Sequence, residues 1–397
     1  MTTVPVPPAV DDEAALARLV AALDGGNDGA RYIGGWVRDT LLGLDPQDID
    51  VATRFAPETA EHRVRTAGLG VWTTPSGIAH GTIGVLVGGR TIEVTTLRRD
   101  LATDGRHATV AFTEDWREDA ARRDFTINAL SADPLTGEVH DYFGGLDDLA
   151  AGRVRFIGDP ERRIAEDHLR ILRFFRFFAR FGRGEPDPAS YAACVTRAKD
   201  LMALSRERIA AELVKLLGLP DPVATIAAML AGGLFAPVIP EIVSADRLEA
   251  LVAAERAAGI APDGLRRLAA LLPSVADVAD SVGGRLRLSK AERKRLMLAT
   301  GGIDGSSEAL AYAIGTESAV DRLLLHGEPD AARHVAAWQP PRFPLSGGDL
   351  IAKGLTPGPI VAATLRRIEQ QWVEAGFVDA MALDAIALAA VAQALNA

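Results

Sequence analysis

The chain has 397 residues, 48% of them hydrophobic and 24% charged, which predicts a soluble protein of two or more domains with ample core. A formal net charge of −10 excludes a protein that coats nucleic acid nonspecifically, while leaving room for a local basic groove. One cysteine, Cys194, excludes an internal disulfide framework and a multi-cysteine zinc site, and it suits a reducing compartment.

The N-terminus lacks a basic stretch followed by an apolar one, and no run of about 18 apolar residues occurs, so neither a signal peptide nor a membrane span is expected and the location is read as cytoplasmic. Residues 1–30 are rich in Pro and Ala, with one short helical pattern at 13–23. Residues 31–33 read as a strand, Gly34-Gly35 as a turn, and 37–42 as a helix. A strand, two glycines and a helix start form a corner that suits an anion, because the backbone can approach it closely. The same pattern also describes an ordinary tight turn.

Residues 48–53 read as a strand, which places Asp48 and Asp50 on one face and Ile49 and Val51 on the other. Two adjacent carboxylates repel each other unless a cation sits between them, and magnesium suits two carboxylates plus phosphate oxygens. A solvated edge strand is the competing reading for an isolated Asp-x-Asp. Two further strands, 82–87 and 91–96, flank the hairpin signal Gly88-Gly89. Glu93 lies on the face opposite Ile92 and Val94, placed to be a third carboxylate. These features together fit metal-assisted phosphoryl transfer, with carboxylate-held ions activating a hydroxyl and stabilising pyrophosphate. Residues 97–118 are polar and charged, with Asp104 and Arg106 near the middle, and read as a long loop of undetermined conformation. After residue 150 nearly everything reads helical, with breaks at 184–188, 218–222 and 339–344.

Asp159-Pro160 is a good helix start and Gly182 a good stop, so the spacing predicts one helix across this stretch. On it Asp167, Arg170, Arg173 and Arg176 form a slanting ribbon at three-residue steps. A solvated ion-paired face is the plain reading. The chemical reading is a template for nucleobases: Asp167 accepts from an exocyclic amino group while Arg170 donates to a ring nitrogen, a pattern that cytosine and adenine match and uracil and guanine reverse. Residues 153–183 carry nine arginines against four carboxylates, a basic stretch in an acidic chain.

Gly34-Gly35-Trp36-Val37-Arg38-Asp39, followed by Leu41-Leu42-Gly43 and Asp48-Ile49-Asp50, resembles the first motif of the class II tRNA nucleotidyltransferase and bacterial poly(A) polymerase family. Four more segments resemble that family's motifs in order: Arg122 to Leu130, Gly144 to Leu149, Glu166 to Phe177, and Ser205 to Leu213. Pro75 to Thr82 is more similar to the CCA-adding branch, since the basic stretch of the poly(A) branch is missing there. The resemblance implies an α+β fold: a DNA polymerase β-like nucleotidyltransferase head with a mixed or antiparallel sheet, then an all-α neck, body and tail. Expected domains are a catalytic head at 1–150, a nucleotide-selecting neck at 151–217, an RNA-binding body at 218–338 and a tail at 339–397.

The implied activity is addition of CCA to the tRNA 3′ end from CTP and ATP, with two Mg2+ ions. The implied roles are metal binding for Asp48 and Asp50, catalytic help from Glu93, and nucleotide contacts from Gly35, Arg38, Arg123, Asp167, Arg170, Arg173 and Arg176. Asp124 is implied in ribose selection, and the loop at 97–118 in the switch from C to A addition. The partner is tRNA, at its 3′ end and its elbow and acceptor arm, with no membrane and no obligate protein partner. The basic helix pattern at 288–296 is a candidate RNA-backbone contact, though a solvated face describes it as well. The alternatives are a poly(A) polymerase and a catalytically silent RNA-binding protein.

Overall fold

The computed structural model describes residues 2–6, 8, 11–46, 48–103 and 108–396. They fall into two compact units, one of residues 1–212 with 232–238, the other of 213–231 with 239–397.

The first unit is built on a seven-stranded sheet. Its strands are β1 (Ala30–Ile33), β2 (Asp50–Thr53), β3 (Gly70–Trp72), β4 (Thr82–Val87) and β5 (Arg90–Thr96), with β8 (Ser131–Ala132) and β9 (Val139–His140). They run in the order β3-β4-β5-β2-β1-β8-β9. Only β2 and β5 pair in parallel, so the sheet is mixed. The turn between β4 and β5 is Gly88-Gly89 with φ of 56° and 80°, a pair of left-handed positions that only glycine adopts without strain. Ile83, Val85, Val87, Ile92 and Val94 alternate onto one buried face, covered by helix α3 (Pro57–Thr66), which buries Ala60 and Val64, while helix α1 (Glu13–Ala22) packs against α3 and buries Leu16 and Leu19.

Helix α2 (Gly35–Leu41) follows β1 directly. Helix α4 (Pro75–Ala79) precedes β4. The segment read as a loop at 97–118 is instead a two-stranded ribbon, β6 (Arg98–Thr103) against β7 (Ala108–Phe112), followed by helix α5 (Trp116–Ala121). Asp104 and Arg106 lie outside the described residues. Ala-Thr-Val-Ala-Phe at 108–112 is strand-like in composition, but the surrounding charge masks it.

Helix α6 (Gly145–Ala151) leads to α7 (Pro160–Glu166) and α8 (Arg170–Phe181). The single helix expected across 160–181 is therefore two. Asp167 has extended backbone (φ −153°, ψ 108°), and its Oδ1 accepts from the Leu169 N–H at 3.1 Å. A short polar side chain that captures a nearby N–H competes with the helical ladder, which explains the break. Helix α8 buries Ile171, Leu172, Phe174, Phe175, Phe177, Phe178 and Phe181. Phe125 and Phe156 join this aromatic layer, with ring centroids 4.9 Å apart. Helices α9 (Pro188–Thr196) and α10 (Arg206–Leu217) follow.

Among its described residues the second unit has helices and no strands. Glu255, Arg266, Arg267 and Asp321 are buried together in it: Arg267 Nε donates to Glu255 at 2.9 Å and Arg266 Nε to Asp321 at 2.7 Å. The helix Lys290–Ala299 starts at Ser289 with a capping box to Glu292. Lys290 and Lys294 are exposed on it, while Arg293 pairs with Asp280 and Arg295 turns inward to Asp321. The last three helices close over Leu350, Ile368, Trp372, Leu383 and Ala387.

Candidate active site

The corner at Gly34-Gly35 forms because β1 must turn sharply into α2. Gly34 has φ +64°, and a Cβ there would lie 3.1 Å from the Arg123 guanidinium. With only seven residues, α2 contributes little dipole, so the arginines around it carry most of the attraction for an anion.

Strand β2 begins at Asp50, so Asp48 precedes the strand instead of sharing a strand face with Asp50. The reason lies in its neighbour: β1 ends at Ile33, where Gly34 turns away, and the pairing of Tyr32 with Val51 is the last between them. Asp50 is half-buried and Asp48 exposed. Across the parallel pair Asp50 stands opposite Glu93, which places the third carboxylate beside it on the same face. Burial, then Glu93, then Asp48 push the Asp50 carboxyl up to about 6, against the opposing pull of Arg123. This is a carboxylate cluster short of positive charge, the environment a divalent cation relieves. Among the described residues no ready-made cage of three or more ligating side chains exists. Magnesium does not need one, since one or two carboxylates with water and substrate phosphates are its usual set. The residues present therefore fit the ion.

A cavity of about 840 Å³ opens beside these carboxylates. Its walls bring together Gly35, Arg38, Asp48, Asp50, Arg123, Asp167, Arg170 and Arg173, each predicted from sequence. Glu93 and Arg176 are outside this wall. Arg176 turns to Glu212, donating to Oε2 at 2.6 Å, and lies over the Phe177 ring. The wall carries seven arginines against four aspartates, a basic site in an acidic chain. A second cavity, of about 910 Å³, shares Asp48 with the first and extends to Trp36, Arg90 and Thr91.

The arginines are held by a relay that sequence reasoning did not contain. Arg180 donates to Asp39 at 3.1 Å, and Arg38 donates to Asp39 at 2.7 Å and to Asn128 Oδ1 at 2.5 Å. Asn128 in turn donates to Asp124 Oδ1 at 2.9 Å, and Arg173 Nε donates to Asp124 Oδ2 at 2.8 Å. Burial opposes ionisation of Asp124, but Arg173, Asn128 and the Phe125 N–H outweigh it and hold the carboxyl below its ordinary value. Burial likewise pulls Arg38 down, only partly offset by Asp39. Arg123 and Asp124 are not part of a helix. They lie in an irregular stretch after α5, where the Asp124 side chain takes the Phe125 N–H at 2.8 Å. Arg123 donates to Asp119 at 3.2 Å.

Asp167 and Arg170 are each anchored from behind. Arg208 Nη2 donates to both Asp167 oxygens, at 3.1 and 3.0 Å. Arg170 donates to Glu166 at 2.6 Å and to the Arg163 carbonyl at 2.8 Å. Both side chains therefore stand in fixed positions on the cavity wall without bonding each other. Arg208, Asn128 and Arg122 lie within motif segments read from the sequence but were given no role there, and Arg98 lies in the stretch read as a loop; all four line the wall.

Residues 30–155 match the family described as Poly A polymerase head domain, and residues 185–246 match one described as Probable RNA and SrmB-binding site of polymerase A. The mitochondrial CCA tRNA nucleotidyltransferase 1 of Homo sapiens is 35% identical over 369 residues, covering 88% of this chain and 84% of that protein. The chain belongs to the CCA-adding tRNA nucleotidyltransferase family. The CCA-adding enzyme of Oceanobacillus iheyensis is 42% identical over 200 residues, about half of each chain. Among solved structures, the Bacillus stearothermophilus CCA-adding enzyme in complex with CTP is similar at a TM-score of 0.71 and 26% identity, covering 91% of this chain and 93% of that one. The expected α+β head followed by helices is the fold of this family member. No helix among its described residues is long and apolar enough to cross a membrane.

Proposed function

We propose that this family member adds C, C and A to the 3′ end of tRNA from CTP and ATP, releasing pyrophosphate. The observation that carries this reading is the single cavity in which a carboxylate pair, a glycine corner, an arginine cluster and an Asp/Arg pair converge. Asp48 and Asp50 would hold Mg2+, with Glu93 raising the negative field beside Asp50. When bound, the ion supplies charge neutralisation at the reacting phosphate and lowers the pKa of the attacking hydroxyl. The bond that forms joins the RNA 3′ oxygen to the α-phosphorus of the nucleotide, and the bond that breaks frees pyrophosphate.

The chain's own residues bind and orient. Arg38 and Arg123, beside the glycine corner, attract the triphosphate. Asp124 faces the same space and is held ready for a ribose hydroxyl by Arg173 and Asn128. Asp167 accepts from the exocyclic amino group of cytosine or adenine, and Arg170 donates to the ring nitrogen beside it. Arg176, paired with Glu212, supports α8 from outside the cavity. In this reading residues 1–150 are the catalytic head, 151–217 the selecting neck, and 218–338 and 339–397 a body and tail that hold tRNA by shape and phosphate contacts. The single buried Cys194 suits a reducing compartment such as the cytoplasm.

The test is a reaction with Mg2+, CTP, ATP and a tRNA transcript lacking CCA, followed by sequencing of the 3′ ends. Addition of C-C-A and a stop is expected. A long A tract, or C or A alone, overturns the reading. Changing Asp48 and Asp50 together to Ala is expected to abolish addition while leaving tRNA bound.

A further inference from the structure

The face of the sheet that carries Asp50 is not covered along its whole width. Register runs in one row across four strands: Asp50 opposite Glu93, Glu93 opposite Gly84, and Gly84 opposite Trp72. Residues opposite one another share a face, so Trp72 stands on the same face as the carboxylates. At about 4.8 Å per strand, its Cα is about 14 Å from that of Asp50.

Trp72 is 50% exposed, and Leu86, on the same face one pair further along, is 51% exposed. The polar Thr82, Thr91 and Thr95 complete this face, while the opposite face, with Ile83, Val85 and Ile92, is buried. The indole lies flat across Gly84: a Cβ there would meet Trp72 Cε2 at 2.2 Å and Nε1 at 2.4 Å. A glycine in the interior of β4 weakens the strand, and here it is what lets the ring lie toward Glu93 and the catalytic row. A large aromatic ring held flat, open to solvent on its upper side, is a stacking platform. Stacking on such a ring accepts any base, which suits a strand whose terminal residue changes as it is extended.

We infer that Trp72, seated on Gly84, stacks a base of the single-stranded 3′ end of the acceptor RNA and so positions its terminal hydroxyl at Asp50. This rests on the proposed tRNA-extending activity. The occupant follows from continuity with the catalytic row: an acceptor strand whose last hydroxyl is at Asp50 must lay its preceding nucleotides against a neighbouring surface, and Trp72 is within the span of those last few nucleotides. Trp72 is a positioning residue, remote from the reacting phosphate.

The experiment measures KM for CCA-less tRNA and KM for CTP in the full chain and in Trp72→Leu, Trp72→Phe and Gly84→Ala. Leu keeps an apolar cover on Gly84 without a stacking face, and Ala at 84 keeps the indole but lifts it. In Trp72→Leu and Gly84→Ala the RNA KM is expected to rise about 5- to 150-fold, the range of one base–aromatic stack, while Phe restores most of it. The CTP KM is expected to hold within about twofold, since no cavity-wall residue is altered. An RNA KM unchanged in Trp72→Leu, or an equal rise in both KM values, overturns the assignment. A second readout uses a tRNA ending in C-C whose residue before the 3′ end is replaced by 2-aminopurine: quenching on binding to the unaltered chain is expected to be lost in Trp72→Leu, and quenching that survives overturns the assignment. If the unaltered chain extends no RNA, the activity reading falls, and the quenching comparison still decides the role of Trp72.

Discussion

The sharpest consequence of the site concerns Asp167. A carboxylate offers four lone-pair positions. In this structure the Leu169 N–H and Arg208 take two on Oδ1, and Arg208 takes one on Oδ2, which leaves one acceptor position for a nucleobase. One hydrogen bond to a charged acceptor is worth about 1.5–3 kcal/mol, or about 10- to 150-fold. Asp167→Ala is therefore expected to lower kcat/KM for CTP by that factor. UTP presents a carbonyl oxygen where CTP presents the amino group, so it gains nothing from Asp167 and loses nothing when the carboxylate is removed. The CTP-to-UTP preference should collapse by the same 10- to 150-fold, estimated from that one bond. Single-turnover incorporation on a tRNA lacking CCA, with each nucleotide alone, reads this directly. A preference that stays within about threefold of the unaltered chain would refute the assignment of Asp167 to the base edge.

Other outcomes follow from the same contacts. Glu166→Gln leaves Arg170 with a neutral partner, and KM for CTP and for ATP should both rise about fivefold, from the loss of about 1 kcal/mol of charge assistance. Asp124→Asn breaks a buried pair whose Arg173 side chain is 32% exposed, which discounts the cost to about 2 kcal/mol and predicts a fall in Tm of about 4–8 °C. Because the Asp124 carboxyl is held below its ordinary value when folded, its contribution is complete above the unfolded pKa near 4 and fades as pH falls toward the folded value. The Tm gap between the two chains should therefore narrow below about pH 4; a constant gap contradicts the ionised pair. In the second unit, Arg267→Met leaves the buried Glu255 carboxylate with Arg266 alone and removes the donor to the Leu217 carbonyl, which should cost about 1–3 kcal/mol in denaturant unfolding.

Much of the site was legible because its chemistry is local in sequence. The carboxylates on the strand pattern at 48–53, Glu93 two strands away by alternation, and the glycine corner each announced themselves within a few residues. The break at Asp167 did not, because Asp159-Pro160 and the arginine spacing both favour an unbroken helix, and only the capture of the Leu169 N–H tips the balance. The ribbon at 98–112 was hidden because charge density resembles a loop while pairing depends on a partner strand. Long-range pairings were invisible for a simpler reason: Arg208 meets Asp167 across 41 residues and Arg38 meets Asn128 across 90, and no periodicity encodes such distances. Arg176 matched the ribbon spacing yet faces Glu212, which shows that spacing assigns a helix face and not a destination.

The interruption between α7 and α8 has a consequence for how this reading device tolerates change. On one continuous helix, inserting or deleting a residue between Asp167 and Arg170 would swing one side chain about 100° from the other and destroy the pair in a single step. Here only Arg170 is rigidly carried by α8, while Asp167 is tethered sideways to Arg208 on α10. The two halves of the reader are thus suspended from different beams. A substitution on α10 can therefore shift the acceptor side chain while Arg170 stays held by Glu166 and the Arg163 carbonyl.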